Sequence, residues 1–225
     1  MATFVLRVWL PDRPGALGAV ASRIGAVGAD VVGIEILERG AGRAIDELFI
    51  ELPDPTRVRL LLNEVAQVDG VDVEDVHELV DGAPDRELDA LEAAAALAAE
   101  PTADGLLTAL TTRARRSFAA DWAAVVDVEG FELVTADGVA PPDAWLAAFA
   151  AGGQTSVLVA NGESGPEDVA WAPLEESGLA LVLGRHGRPF RLRERRQATA
   201  LAAIADHRGV ELASKKSREE HPAAS

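Results

Sequence analysis

The chain has 225 residues, 48% of them hydrophobic and 26% charged, which is typical of a folded globular protein. Thirty-seven acidic against 21 basic residues give a net charge of −16. That balance disfavours binding to nucleic acid or to anionic membranes, which needs clustered Lys and Arg. The absence of cysteine excludes disulfides, thiolate nucleophiles and Cys-ligated zinc, and four scattered histidines disfavour a metal site. We expect a cytoplasmic protein, because no apolar run approaches the ~20 residues of a membrane span. We also expect no cofactor.

The first 80 residues alternate between strand and helix periodicity. Apolar residues at spacing two predict strands at 4–10, 32–36 and 48–52, and a last strand from Val71. Apolar residues at helical spacing predict helices at 17–27 and 58–65. The order βαββαβ predicts a four-stranded antiparallel sheet with both helices on one face.

A boundary is predicted near residue 83, where Gly82 and Pro84 interrupt the periodic pattern. It separates a first domain at 1–80 from a linker with a connecting helix at 81–101, a second domain at 102–213 and a disordered tail at 214–225. Within the second domain the pattern predicts flanking helices and a sheet of about five strands. Those strands are expected at 122–128, 131–135, 156–160, 169–174 and 179–184, and the terminal helix at 191–207.

The segment between the first strand and the first helix is the best candidate for a binding site. Pro14 and Gly15 are predicted to open the helix, which would leave the N–H groups of Ala16 and Leu17 pointing outward. Those donors, at the positive end of the helix dipole, suit a carboxylate, and Asp12 suits an ammonium. A zwitterionic amino acid has both groups. The alternative is that Asp12 only caps the helix and that nothing binds.

These residues carry a resemblance to a known family. The run Asp12–Leu17, the helix end at Gly28–Val31 and the strand Val32–Ile36 resemble an ACT domain over about residues 3–80. ACT domains are regulatory modules with a ferredoxin-like fold that often bind amino acids at a dimer interface. The resemblance implies a ligand loop faced by the start of the second strand. The loop comprises Asp12, Arg13, Pro14, Gly15, Ala16 and Leu17, and the facing residues are Asp30, Val31 and Val32.

The second domain resembles a GAF domain over about residues 102–208. The resemblance rests on the runs 169–174 and 178–184, Arg188-Pro189-Phe190 and the terminal helix. GAF domains bind small ligands beside a central antiparallel sheet or only dimerise, and the Ala- and Val-rich strands here favour a filled core. The predicted fold class is therefore α+β, with a ferredoxin-like ACT domain followed by a GAF-like domain.

Two functional hypotheses follow. In the leading one, the protein is a non-enzymatic regulator that binds an amino acid across an ACT homodimer. In the alternative, both modules bind nothing and mediate oligomerisation or interaction with a partner. An enzyme is least favoured, because no nucleophile–base pair, P-loop or metal motif is apparent.

Two surface features bear on assembly. Val32, Ile34 and Ile36 make the second strand apolar at a sheet edge, which predicts at least a dimer. Trp9 and Phe49 lie on the face of the sheet away from the helices. We expect Trp9 to be largely buried there.

Overall fold

The computed structural model describes residues 1–79, 85–156 and 166–220. The chain divides into two compact units, Met1–Asp85 and Arg86–Ser225. Gly82 and Pro84, from which the sequence predicts a domain boundary, lie outside the described residues.

The first unit has the predicted order βαββαβ. Its antiparallel sheet has the strand order β2-β3-β1-β4, so β1 and β3 are central and β2 and β4 are edges. The elements are β1 (Ala2–Pro11), α1 (Ala16–Ala26), β2 (Asp30–Gly40), β3 (Arg43–Leu52), α2 (Val58–Val65) and β4 (Asp72–Leu79).

One face of this sheet and the apolar stripes of both helices form the core of the first unit. Alternation along a strand sends every second side chain to the same face. The strands contribute Phe4, Leu6, Val8, Leu10, Leu48, Ile50 and Leu52, and the helices contribute Val20, Ile24, Leu61 and Val65. The prediction that both helices cover one face is confirmed.

The second unit also contains a four-stranded antiparallel sheet, with the strand order β6-β5-β8-β7. Its elements are α3 (Arg86–Ala99), α4 (Ala103–Ser117), β5 (Trp122–Asp127), β6 (Glu132–Gly138), α5 (Asp143–Thr155), β7 (Val169–Leu174), β8 (Leu179–Gly184) and α6 (Leu192–Glu220). Thr102 caps α4 as its side chain accepts a hydrogen bond from the Gly105 N–H at 3.2 Å.

Both faces of this second sheet are covered. Ala123 and Val125 of β5 pack with α3, α4 and α6, whereas Trp122, Ala124 and Val126 pack with α5. The mixed α+β class with antiparallel sheets is confirmed.

The fifth predicted strand, 156–160, lies outside the described residues except for Ser156, and the described part of the sheet has four strands. Residues 214–220, expected in a disordered tail, continue α6. The tail prediction relied on the missing apolar period. However, the Lys, Arg and Glu residues of this segment have high helix propensity, and extending an existing helix avoids the cost of nucleation.

None of the helices in the described ranges combines the length and apolar character that crossing a membrane requires.

Candidate functional site

The predicted ligand loop is built on a tight turn between β1 and α1. The Ala16 N–H donates to the Arg13 carbonyl at 3.3 Å, with Pro14 and Gly15 at the two central positions. Gly15 has φ +88° and ψ −15°, which makes this a type II turn. The expectation that Pro14 and Gly15 open the helix is therefore wrong. The positive φ of Gly15 is not helical, and α1 begins at Ala16.

Backbone contacts anchor this turn to the neighbouring β2–β3 hairpin. The Asp12 N–H donates to the Gly42 carbonyl at 2.9 Å, and the Arg13 N–H donates to the Pro11 carbonyl at 2.8 Å. Pro11 also packs so closely on Gly70 that a Cβ there would meet its ring at 2.8 Å. The loop is thus fixed by main-chain contacts and leaves its side chains available.

The turn presents unsatisfied N–H groups at the start of α1. No side chain caps this helix, so Asp12 does not act as the cap that the alternative interpretation requires. The Ala16 N–H, expected to be available, bonds to Arg13. In the part of the chain that the structure describes, the N–H groups of Gly15, Leu17 and Gly18 have no acceptor. These donors lie at the positive end of the helix dipole and suit an anion.

Space is available at this turn. Asp12, Arg13, Pro14 and Gly15 are exposed, Ala16 is buried, and Leu17 is half-buried. A Cβ added to Gly15 would meet nothing within 4 Å. A small ligand can therefore approach the Gly15 backbone.

A buried carboxylate lies on β3, near the end of the sheet where the loop lies, and the sequence analysis did not identify it. Asp46 on β3 is 3% exposed, and its Oδ1 has no hydrogen-bond partner within the described ranges. Burial raises the pKa of the Asp46 carboxyl, Arg39 lowers it and Asp12 raises it further. The sequence did contain a sign of this burial. Ala44 and Leu48 are core residues, and Asp46 lies between them at spacing two, so its side chain is on the same buried face of β3.

The opposite face of the sheet carries a second group of charges. Arg7 and Glu47, each 1% exposed, form an ion pair at 2.6 Å. Trp9 donates its indole N–H to Glu74 at 3.1 Å, and the Arg43 guanidinium lies 5.2 Å from its ring centre. Trp9 is half-buried, less than expected, because its polar edge reaches the edge strand β4.

The residues predicted to face the loop lie at the other end of the sheet. Asp30 pairs with Glu51 at the start of β2, whereas Pro11 and Gly40 both pair with Arg43 at the opposite end. The two rows are eight residues apart along β1, or about 26 Å at ~3.3 Å per residue. A single chain therefore does not bring Asp30, Val31 and Val32 to the loop.

Among the described residues, no group of three or more His, Asp or Glu side chains is placed so that it could hold a metal ion.

Comparison with known families supports the prediction for the first unit. Residues 4–70 match the family model of the ACT domain. Over these residues the chain is similar to ACT domains. ACT domains are a family of regulatory, small-molecule-binding modules, and the chain continues well beyond the matched residues.

Solved structures give weak similarities, and no curated protein matches the chain. The ACT domain from GTP pyrophosphokinase of Chlorobium tepidum is 18% identical, with a TM-score of 0.29, over 35% of this chain and 100% of that one. An unknown protein from Galdieria sulphuraria is 14% identical, with a TM-score of 0.33, over 92% of each chain. The GAF-like character of residues 102–213 is not confirmed and stays a prediction.

Proposed function

We propose that the protein is a non-enzymatic sensor whose ACT domain binds an amino acid at the loop Asp12–Leu17. The observation that carries this proposal is the set of unsatisfied N–H groups of Gly15, Leu17 and Gly18 on an open turn. A ligand carboxylate would accept hydrogen bonds from these groups. The exposed Asp12 carboxylate beside them would attract the ligand ammonium.

The binding site is completed by a second copy of the chain. The outer edge of β2 has no strand partner in the described part of the sheet. Two such edges pairing antiparallel would set the start of one β2 against the end of the other. Asp30, Val31 and Val32 of the second copy would thereby reach the end of the sheet where the loop lies.

The side chains of β2 favour this pairing. Val32, Ile34 and Ile36 are 43%, 46% and 38% exposed, an apolar row on a strand edge. Bulges lie between Val31 and Gly33 and between Ile36 and Glu38, so the regular stretch available for pairing is Gly33–Ile36. An exposed apolar edge of this kind is a liability that a second chain removes.

The second unit is proposed to be a GAF-like domain with a filled core that anchors or transmits the change. Alanine and valine fill the strands on both faces of its sheet, as at Ala123 and Val125 on one face and Ala124 and Val126 on the other, all fully buried. Close packing of this kind suits a structural role better than a ligand role.

The test is a thermal-shift screen of the wild-type protein against the twenty L-amino acids. Selective binding to the native state raises the melting temperature. A shift with one or a few of them supports the proposal. If none shifts a folded protein at millimolar concentration, the alternative of two modules that only mediate interactions is favoured.

A further inference from the structure

We propose that Asp46 recognises the ligand ammonium, so that the ACT domain distinguishes a primary ammonium from a hydroxyl at the same position. This inference rests on the proposed amino-acid site. It adds a buried carboxylate on β3 to a site otherwise made of the loop and the start of β2.

The topology places Asp46 beneath the first turn of α1. Strand β3 lies between β1 and β2, so α1, which connects those two strands, must cross over β3. Asp46 is opposite Val8 and near the start of β3, at the end of the sheet where β1 stops and α1 begins. Its strand neighbours on the same face, Ala44 and Leu48, share a core with Ala16 of that first turn.

Within the described residues, one oxygen of the Asp46 carboxylate has no hydrogen-bond partner. Almost every buried polar atom in a protein has a hydrogen-bond partner, and an unpaired buried charge is expensive. Asp46 is 3% exposed, yet its Oδ1 finds no donor in the described residues. The N–H groups of the nearby turn do not bond to it either. A group held at a cost without a structural partner is a candidate for function.

The charges around Asp46 indicate which kind of ligand would complete the proposed site. Arg39 and Asp12 are the charged groups that act on Asp46, and burial is the largest influence on its pKa. Asp12 belongs to the same turn as the unsatisfied N–H donors, and its charge acts on Asp46, so two carboxylates and the donors share one end of the sheet. A cation close to the carboxylates and an anion on the donors satisfy both sets at once. A ligand with an ammonium and a carboxylate on the same carbon carries both charges, whereas a 2-hydroxy acid has no cation to offer the buried carboxylate.

The experiment compares ligands and variants in parallel. The probes are L-alanine, L-aspartate, L-leucine and L-phenylalanine, each with its 2-hydroxy acid: lactate, malate, 2-hydroxy-4-methylpentanoate and 3-phenyllactate. Any further amino acid found in the thermal-shift screen joins the set with its own hydroxy acid. Binding is measured by calorimetry on wild type, Asp46→Asn and Asp69→Asn. Asp69 is an exposed carboxylate of the same unit, so its variant removes an equal charge without altering a buried group.

We expect the wild type to bind at least one amino acid and to bind the matching hydroxy acid at least tenfold more weakly. Asp46→Asn should lose at least tenfold in affinity for that amino acid, and Asp69→Asn should bind as the wild type does. Asp46→Asn should also melt no lower than the wild type, since it removes a buried charge.

Three results would overturn the inference. Equal affinity of Asp46→Asn and wild type would do so while leaving the proposed function intact, and so would equal affinity for the amino and hydroxy acids. The second comparison needs only the wild type and stands even if the variant fails to fold. Absence of binding by every amino acid tested would end both the inference and the proposed function.

Discussion

At the scale of single residues, Asp46 makes the stability of the protein depend on pH. Its pKa is raised above the ordinary value of 3.8, chiefly by burial, so the native state holds this proton more tightly than the unfolded state. The ionised form therefore destabilises the fold, and the penalty declines as the pH falls through the raised native pKa toward 3.8.

Asp46→Asn should consequently be more stable than the wild type at pH 7, with the difference shrinking toward pH 4. Urea denaturation at the two pH values measures this. A variant less stable than the wild type at pH 7 would show that the ionised carboxylate has a stabilising partner.

Gly15 offers a test of the loop by charge alone. Its φ of +88° strains any L residue, by about 1–2 kcal/mol, and Asp and Asn tolerate this region best. The strain applies to both variants, while only Gly15→Asp places a negative charge where the ligand carboxylate belongs.

We expect Gly15→Asp to abolish amino-acid binding and Gly15→Asn to retain it within about tenfold, with similar losses of stability. Calorimetry with the screened amino acid gives the affinities. Equal affinities for the two variants would place the ligand elsewhere.

The buried ion pair of Arg7 and Glu47 should be costly to break from one side. Both side chains are almost fully buried, and removing Glu47 takes away the nearest carboxylate of Arg7 while Glu74 stays 3.7 Å from the guanidinium. Glu47→Leu alone should cost about 1–3 kcal/mol, since the buried Arg7 loses its shortest hydrogen bonds. The double change Arg7→Leu and Glu47→Leu should recover part of that loss, because it also removes the buried cation. Chemical denaturation of the two variants measures both effects. If the double variant is less stable than the single one, the weakened pairing of Arg7 is not the cause.

At the scale of elements, the sequence predicted most of the framework because burial alternates regularly along it. The spacing of Phe4, Leu6, Val8 and Leu10 and the two helical stripes were sufficient for the order βαββαβ. Apolar periodicity reports which face of an element is buried, and in the first unit that face is the core.

The site itself was only partly predictable, since its details depend on backbone angles and on tertiary position. Pro14-Gly15 suits a helix start and a type II turn equally well in sequence, and only the positive φ of Gly15 separates them. Asp46 was overlooked although it stands in the buried phase of β3. The distance between Asp30 and the loop follows from strand register, which spacing alone does not specify.

The β2 edge predicts a specific disruption of the dimer. Ile34→Lys places a charge in the exposed apolar row without removing core packing, because Ile34 is 46% exposed. Leu60→Lys is the matched control, on α2 of the same unit and 47% exposed.

By sedimentation at micromolar concentration, we expect the wild type and Leu60→Lys to be at least dimeric and Ile34→Lys to be monomeric. A monomeric wild type, or an Ile34→Lys variant that still associates, would contradict pairing through β2.

At the scale of the whole molecule, a site shared between two copies links ligand binding to assembly. Dimerisation then raises the ligand affinity by the same coupling free energy by which the ligand stabilises the dimer. Ile34→Lys, though far from the loop in its own chain, should bind the amino acid at least tenfold more weakly than Leu60→Lys. Titration at several protein concentrations measures this. Affinity independent of both concentration and variant would mean that one chain holds the complete site.

If the main-chain N–H groups of Gly15, Leu17 and Gly18 bind the ligand as proposed, ligand preference can change in only one part of the site. Main-chain donors persist whatever side chains surround them, and they engage the carboxylate that all amino acids share. They therefore anchor the ligand without selecting among amino acids. Selection among amino acids then falls to the side chains of the proposed site, Leu17, Val31 and Val32. We expect proteins of this kind to acquire new ligands by substitutions in β2, while the turn retains its backbone shape.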